Sequence, residues 1–331
     1  MTSMTDADGR KGMRIKIIAG CIAVVFAAAP ALAQEAYPVR PINIVVPFAA
    51  GGSSDVLARL LEPALSRQLG QPIIILNRPG AGGNLGMDFV AKSPPDGYTV
   101  VLGNSLNFVR NYLEYKDLKF SDKDFLPVSL IGETPLALVV HPSLPVRSLK
   151  ELIDYARANP NKISYGAQGT RSLDIHMIRT DQKISMNEIP YPGGSGQLMK
   201  DIVGGHIQLV AATTSSVISQ IKSGDLKAIA LMSNARDPGL PDVPTVGESG
   251  YPQFESTLWF GFAVAAGTPQ PVISKLHDAI VRAVSSPDVK EQLEKLAVQP
   301  KTSGAPAEFG AYIGRELSRW RKVVEAIESP R

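Results

Sequence analysis

The chain has 331 residues, 44% hydrophobic and 20% charged, with a formal net charge of +3. It is too apolar to be disordered and long enough for two packed lobes with their own cores. Lysine and arginine are scattered without a run of five, which excludes the concentrated positive footprint that nucleic acid or an anionic membrane surface demands.

Residues 1–33 differ in kind from the rest. Lys11, Arg14 and Lys16 form a basic start, 17–29 is a nearly unbroken apolar run, and Ala31-Leu32-Ala33 places small residues at a cleavage position. This predicts an export signal cut after Ala33, with Gln34 as the new N-terminus. The apolar run is shorter than the roughly 20 residues of a membrane-spanning helix, and Pro30 ends it. Met13 makes a more usual signal start than Met1, so both translation starts stay open. Cys21, the only cysteine, lies inside the segment, and a lipoprotein cut there would leave too few apolar residues before it. The exported chain would then lack cysteine, which a large core tolerates in an oxidising compartment.

The run 41–47 is almost all apolar and bounded by prolines, as a buried strand is. After a loop at 48–55, Leu57, Leu60, Leu61, Ala64 and Leu65 recur at helical spacing until Gly70. Ser53, Ser54 or Asp55 can cap that helix, and Pro63 should kink it unless it is shorter than the pattern. A second strand at 73–76 leads through the glycine-rich turn 77–84 to a short helix at 85–91. Pro94-Pro95-Asp96-Gly97 then turns into a third strand at 98–102, ending in Gly103-Asn104-Ser105. The order predicts a parallel β-α-β-α-β unit with right-handed crossovers.

A second unit starts with a strand at 136–140. Ser148 and Glu151 form a capping box for the next helix. Strands at 163–165, 188–191, 207–211 and 226–231 alternate with helices at 173–182, 196–203 and 215–222. A strand at 258–264 precedes helices at 270–285, 287–297 and 306–327. Two α/β units with spare C-terminal helices predict two lobes around a cleft.

Tyr37-Pro38, Val45-Val46-Pro47-Phe48, Gly51-Gly52-Ser53-Ser54-Asp55, Asn77-Arg78-Pro79-Gly80-Ala81-Gly82-Gly83-Asn84 and Pro95-Asp96-Gly97-Tyr98-Thr99 together resemble the Bug/TctC family of periplasmic receptors for tripartite tricarboxylate transporters. His141-Pro142-Ser143-Leu144-Pro145, Pro190-Tyr191, Pro241-Asp242-Val243-Pro244-Thr245 and Ala265-Ala266-Gly267-Thr268-Pro269 continue the likeness in order to the end of the chain. The resemblance implies an α/β Venus-flytrap fold, with two lobes joined by two crossing strands near 136–140 and 259–264. Lobe I would comprise 37–135 plus 258–331, and lobe II 136–257. It further implies a small carboxylate ligand, membrane transporter subunits as partners, a periplasmic location, and neither cofactor nor metal; a monomer is expected.

In such sheets the ligand sits beyond the carboxyl ends of the strands, where glycine loops let it approach helix N-termini. Within the loop 48–55, which begins with Phe48, main-chain donors at Ala50, Gly51, Gly52 and Ser53 are the expected carboxylate contacts. Asn104 and Ser105 add side-chain hydrogen bonds. Asp55 reads first as a helix cap and second as a ligand contact. From the other lobe come Gly169, Thr170 and Arg171, whose guanidinium can fork onto a distal carboxylate, with Tyr191, Thr213 and Thr214 as weaker candidates. Here the chain departs from the family pattern of small and hydroxyl residues before a His-Leu pair, which implies a remodelled pocket.

The competing class is a secreted α/β hydrolase using Ser172, Asp174 and His176. Residues two apart on one helix point away from each other, and no Gly-x-Ser-x-Gly elbow occurs. His141, His206 and His277 are isolated, without metal-ligand spacing.

Overall fold

The computed structural model describes residues 37–168, 172–191 and 195–328, so the expected export signal lies outside the described residues. The chain proceeds from β1 (Ile42–Val46) through α1 (Ser53–Leu69), β2 (Ile73–Asn77), α2 (Asn84–Ala91) and β3 (Thr99–Asn104). A π-helical turn (Leu106–Arg110) runs into α3 (Asn111–Glu114), and the long strand β4 (Phe125–Val140) comes after it. Next come α4 (Leu149–Ala158), β5 (Ser164–Gln168), α5 (Leu173–Gln182), β6 (Asn187–Tyr191) and α6 (Ser195–Val203). They are followed by β7 (Leu209–Thr213), α7 (Thr214–Ser223) and β8 (Lys227–Leu231). The chain finishes with β9 (Thr257–Ala265), α8 (Gln270–Ser285), α9 (Pro287–Lys295), β10 (Gln299–Pro300) and α10 (Pro306–Glu328).

β1 lies between β2 and β3, parallel to both, as the β-α-β-α-β reading expects. Its residues alternate between two cores. Ile44 and Val46 join Leu57, Leu61 and Leu65 of α1, whereas Val45 joins Met87 and Val90 of α2. A strand covered on both faces needs apolar residues at every position, which is why 41–47 shows no alternation. α1 runs unbroken through Pro63 and stops at Gly70, which adopts a left-handed φ of 68°. In α4, Ser148 Oγ accepts the Glu151 N–H at 3.1 Å and the Glu151 carboxylate accepts the Arg147 N–H at 2.7 Å, so the expected box forms with its return bond one residue upstream.

β4 begins eleven residues before the strand read from sequence, and the two halves of it serve different sheets. Residues 125–135 pair antiparallel with β9, which in turn pairs with β3; residues 136–140 pair with β7 and 137–140 with β8. β5 and β6 complete the second sheet in parallel with β7. Pro127, Gly132 and Pro135 hid the first half, because such residues argue against a central strand; register irregularities between Pro127 and Ser129 and between Leu130 and Gly132 accommodate them. β9 lies wholly in the first sheet. The return from the second sheet is made just before it, where Ser256 N–H donates to the Met232 carbonyl at 2.8 Å.

The result is a mixed α/β fold of two lobes that share β4. One buried cluster runs from Val45 and Phe108 through Trp259 and Leu138 to Tyr165 and Leu173, so the lobes share apolar packing under α5 and α10. Each fully buried side chain of this size stabilises by roughly 1.5–3 kcal/mol.

Candidate ligand-binding site

Register places the carboxyl ends of both parallel sets at one location. β3 ends with Asn104 opposite Phe260, near the start of β9, and Thr257 of β9 pairs with Pro135. On the other side β7 ends with Thr213 opposite Leu136. The carboxyl ends of β1 and β3 thus face that of β7 across the crossing at 135–136.

The loop before α1 is shaped by Asp55, which is 2% exposed. Its carboxylate accepts the Gly51 N–H at 2.9 Å, Arg59 Nε at 3.0 Å and Asn77 Nδ2 at 2.9 Å, and Asn77 also donates to the Phe48 carbonyl at 3.1 Å. The Arg59 hydrogen bond, partly opposed by burial, lowers the Asp55 carboxyl to about 2. Asp55 therefore caps the helix from inside its first turn, while Gly52 occupies the cap position without a side-chain bond. Of the expected donors, the Gly51 N–H is held by Asp55, and the Gly52 N–H donates to the Ala49 carbonyl at 3.3 Å. The donors left to an anion are those of the first turn, beginning at Ser53, where no intrahelical carbonyl exists. Ala50, Gly51, Gly52 and Ser53 are exposed, and Phe48 is half-buried against the core of the first sheet.

Asn104 and Ser105 are buried, at 4% and 5% exposure. Asn104 Oδ1 accepts the Leu106 N–H at 3.0 Å, and the Asn104 N–H reaches Asn107 Oδ1 at 3.4 Å. Beyond Ser105 lies a set of amides that the sequence reading missed. Asn107 and Asn111 both donate to the Gly82 carbonyl, at 3.1 and 3.0 Å, and Asn111 donates to Asn84 at 2.6 Å. These amides clamp the glycine-rich turn onto the π-helical turn after Ser105. Gly83, at φ 93°, has no room for a Cβ, which would collide with Asn107. The spacing of Asn107 and Asn111 was the available signal: two amides four residues apart in one helical stretch.

From the second sheet, Gly169, Thr170 and Arg171 lie outside the described residues. The Ser172 N–H just after them donates to Glu188 at 2.8 Å. Tyr191 is buried and its hydroxyl donates to Asp201 at 2.7 Å; burial, then the Asp201 contacts, raise that hydroxyl to about 12. Its O–H is therefore not a free donor. Thr214, in the first turn of α7, is fully buried, and its hydroxyl has no partner among the described residues. Thr213 bonds to Ser216 and Ser215 instead.

The Ser172, Asp174 and His176 side chains are not assembled for catalysis. Asp174 is bound to Arg110 and Ser256, whereas His176 Nε2 lies 2.8 Å from Glu188 and 3.3 Å from the Tyr165 hydroxyl. Among the described residues no group of three His, Cys, Asp or Glu is placed to hold a metal, and no helix is long and apolar enough to cross a membrane.

The family model of the tripartite tricarboxylate transporter family receptor, TctC, matches residues 57–329. The chain belongs to this receptor family. The receptor is 37% identical to BugT of Bordetella pertussis over 322 residues, covering 94% of this chain and 96% of that protein. Among solved structures it is similar to R. palustris Rpa4515 with adipate, at 32% identity and a TM-score of 0.76, covering 88% of this chain and 98% of the other. MatC from Rhodopseudomonas palustris, with bound malate, gives 31% identity and a TM-score of 0.73 over 87% and 100% of the two chains. TctC-type proteins are periplasmic solute receptors and not enzymes, which sets aside the hydrolase reading.

Proposed function

We propose that this receptor is exported after cleavage behind Ala33, captures a small dicarboxylate or hydroxy acid in the periplasm as a monomer, and passes it to the membrane subunits of a tripartite tricarboxylate transporter. Lobe I comprises 37–135 plus 258–331, and lobe II comprises 136–257. The observation that carries the reading is the meeting of both carboxyl edges at 135–136, with the starts of α1 and α7 on opposite sides. A helix start carries about half a positive charge and unpaired N–H groups, enough to hold a carboxylate without a lysine. On this reading the first turn of α1 from Ser53 holds one carboxylate, with Asn104 and Ser105 beside it. Residues 169–171, Tyr191 and Thr214 close the opposite side. Arg171 is the one cation among these contacts and suits a second carboxylate. The bound adipate and malate of the two R. palustris proteins support this ligand class.

A thermal-shift screen of malate, adipate, tricarboxylates and aromatic acids tests it. An acid present at about 100 times its dissociation constant should add about 2.7 kcal/mol of stability. No shift with any acid, combined with turnover of a chromogenic ester, would overturn the receptor reading.

A further inference from the structure

Two charged residues outside the proposed contacts join the two sides of the cleft. Arg110 ends the π-helical turn that starts one residue after Ser105, and Asp174 lies in the first turn of α5, just after the loop 169–172. Their side chains are 13% and 8% exposed, and they meet in a two-pronged ion pair, with Nη1 to Oδ2 at 3.0 Å and Nη2 to Oδ1 at 2.5 Å. Ser256, on the return crossing and 1% exposed, donates to Asp174 and accepts from Arg110 Nη2 at 3.2 Å. The guanidinium lies over the Trp320 ring of α10, 4.3 Å from its centroid. One residue earlier, Arg319 Nη2 donates to the Glu255 carbonyl at 2.7 Å. The turn after β3, the start of α5, the crossing and the C-terminal helix therefore converge on one buried pair.

Such a pair is a poor device for stability alone. Desolvation works against both charges, and a well-packed apolar pair of similar volume commonly serves stability as well or better. What the ion pair supplies is direction: a forked guanidinium–carboxylate contact fixes the relative placement of the two segments in a way apolar contact does not.

We propose that Arg110 and Asp174 are positioning residues for ligand capture, forming the fixed pivot that holds the π-helical turn after β3 against the first turn of α5 without either charge touching the ligand. The proposal rests on the two-lobed receptor reading. Removal of the pair lets the lobes sample a wider range of separations, so fewer molecules present both edges of the cleft together and affinity falls by the fraction lost.

The test uses the exported chain carrying spin labels at Arg67→Cys on α1 and Lys222→Cys on α7, both exposed. Electron–electron dipolar spectroscopy then reads the distance distribution between lobes without added ligand. Arg110→Met/Asp174→Leu should keep the melting temperature at or above that of the parent, broaden the distribution, and weaken malate or adipate binding at least tenfold. An unchanged distribution, or a loss of affinity below twofold, overturns the proposal and leaves the pair a packing feature. Should the double variant fail to fold, Ser256→Ala removes only the bridging hydroxyl and should broaden the distribution in the same direction; no broadening overturns the pivot. If the parent binds neither acid, the ligand reading fails while the distance measurement still decides the pivot.

Discussion

Gly52 has ordinary extended backbone angles, φ −74° and ψ 165°, and an added Cβ would meet only the Ala49 carbonyl, at 3.3 Å. The fold therefore tolerates a side chain there with a small adjustment. Gly51 is different, because its φ of 82° lies in the left-handed region that a side chain strains. Of the two, Gly52 is the one whose backbone angles do not require glycine, so its substitution tests the proposed ligand role. Gly52→Val should keep the far-ultraviolet spectrum and the melting temperature of the parent while abolishing carboxylate binding in calorimetry. Retained affinity would remove this loop from the site. The sequence marked Gly51 and Gly52 equally; only their dihedral angles separate them.

As an element, α1 shows how one buried carboxylate can shape a helix start. Asp55 ties Gly51, Arg59 and Asn77 into one network at the helix start. Its folded carboxyl, lowered to about 2, lies below its usual value. The network therefore contributes stability above the unfolded value of about 3.9, and this contribution disappears as pH falls through the folded one. The stability difference between the parent and Asp55→Asn should be level above about pH 5 and shrink toward zero near pH 2 in denaturant titrations. A difference independent of pH would mean that the charge does not matter. Element positions were largely legible, since α4 carries its apolar spacing and its Ser148 cap openly and α1 ends at Gly70 as its sequence announces. The first half of β4 was not, because its pairing partner β9 lies far along the chain and outweighs the prolines and glycine that argue against a strand. The amide clamp after β3 was missed for a related reason: the spacing of Asn107 and Asn111 marks a shared face, but their partners, the Gly82 carbonyl and Asn84 at the start of α2, lie more than twenty residues away.

For the whole molecule, the sharing of β4 between two sheets and the continuous core through Trp259 join the lobes by packed structure and not by a loose linker. The export reading belongs to this scale too. Expression with a signal peptidase present should yield a periplasmic chain whose intact mass begins at Gln34, from either translation start. A mass that retains residues 17–29 would overturn cleavage and turn the protein into an anchored one.

Composition, apolar periodicity and turn residues are properties of neighbouring positions, so the α/β class, the chain order of helices and strands and the family likeness could all be read along the chain. Which N–H groups at α1 stay unpaired, where the chain crosses between sheets, and the meeting of Arg110 with Asp174 depend on residues 4 to 146 positions apart. Those outcomes belong to packing, because burial forces each polar group to find a partner wherever the fold brings one.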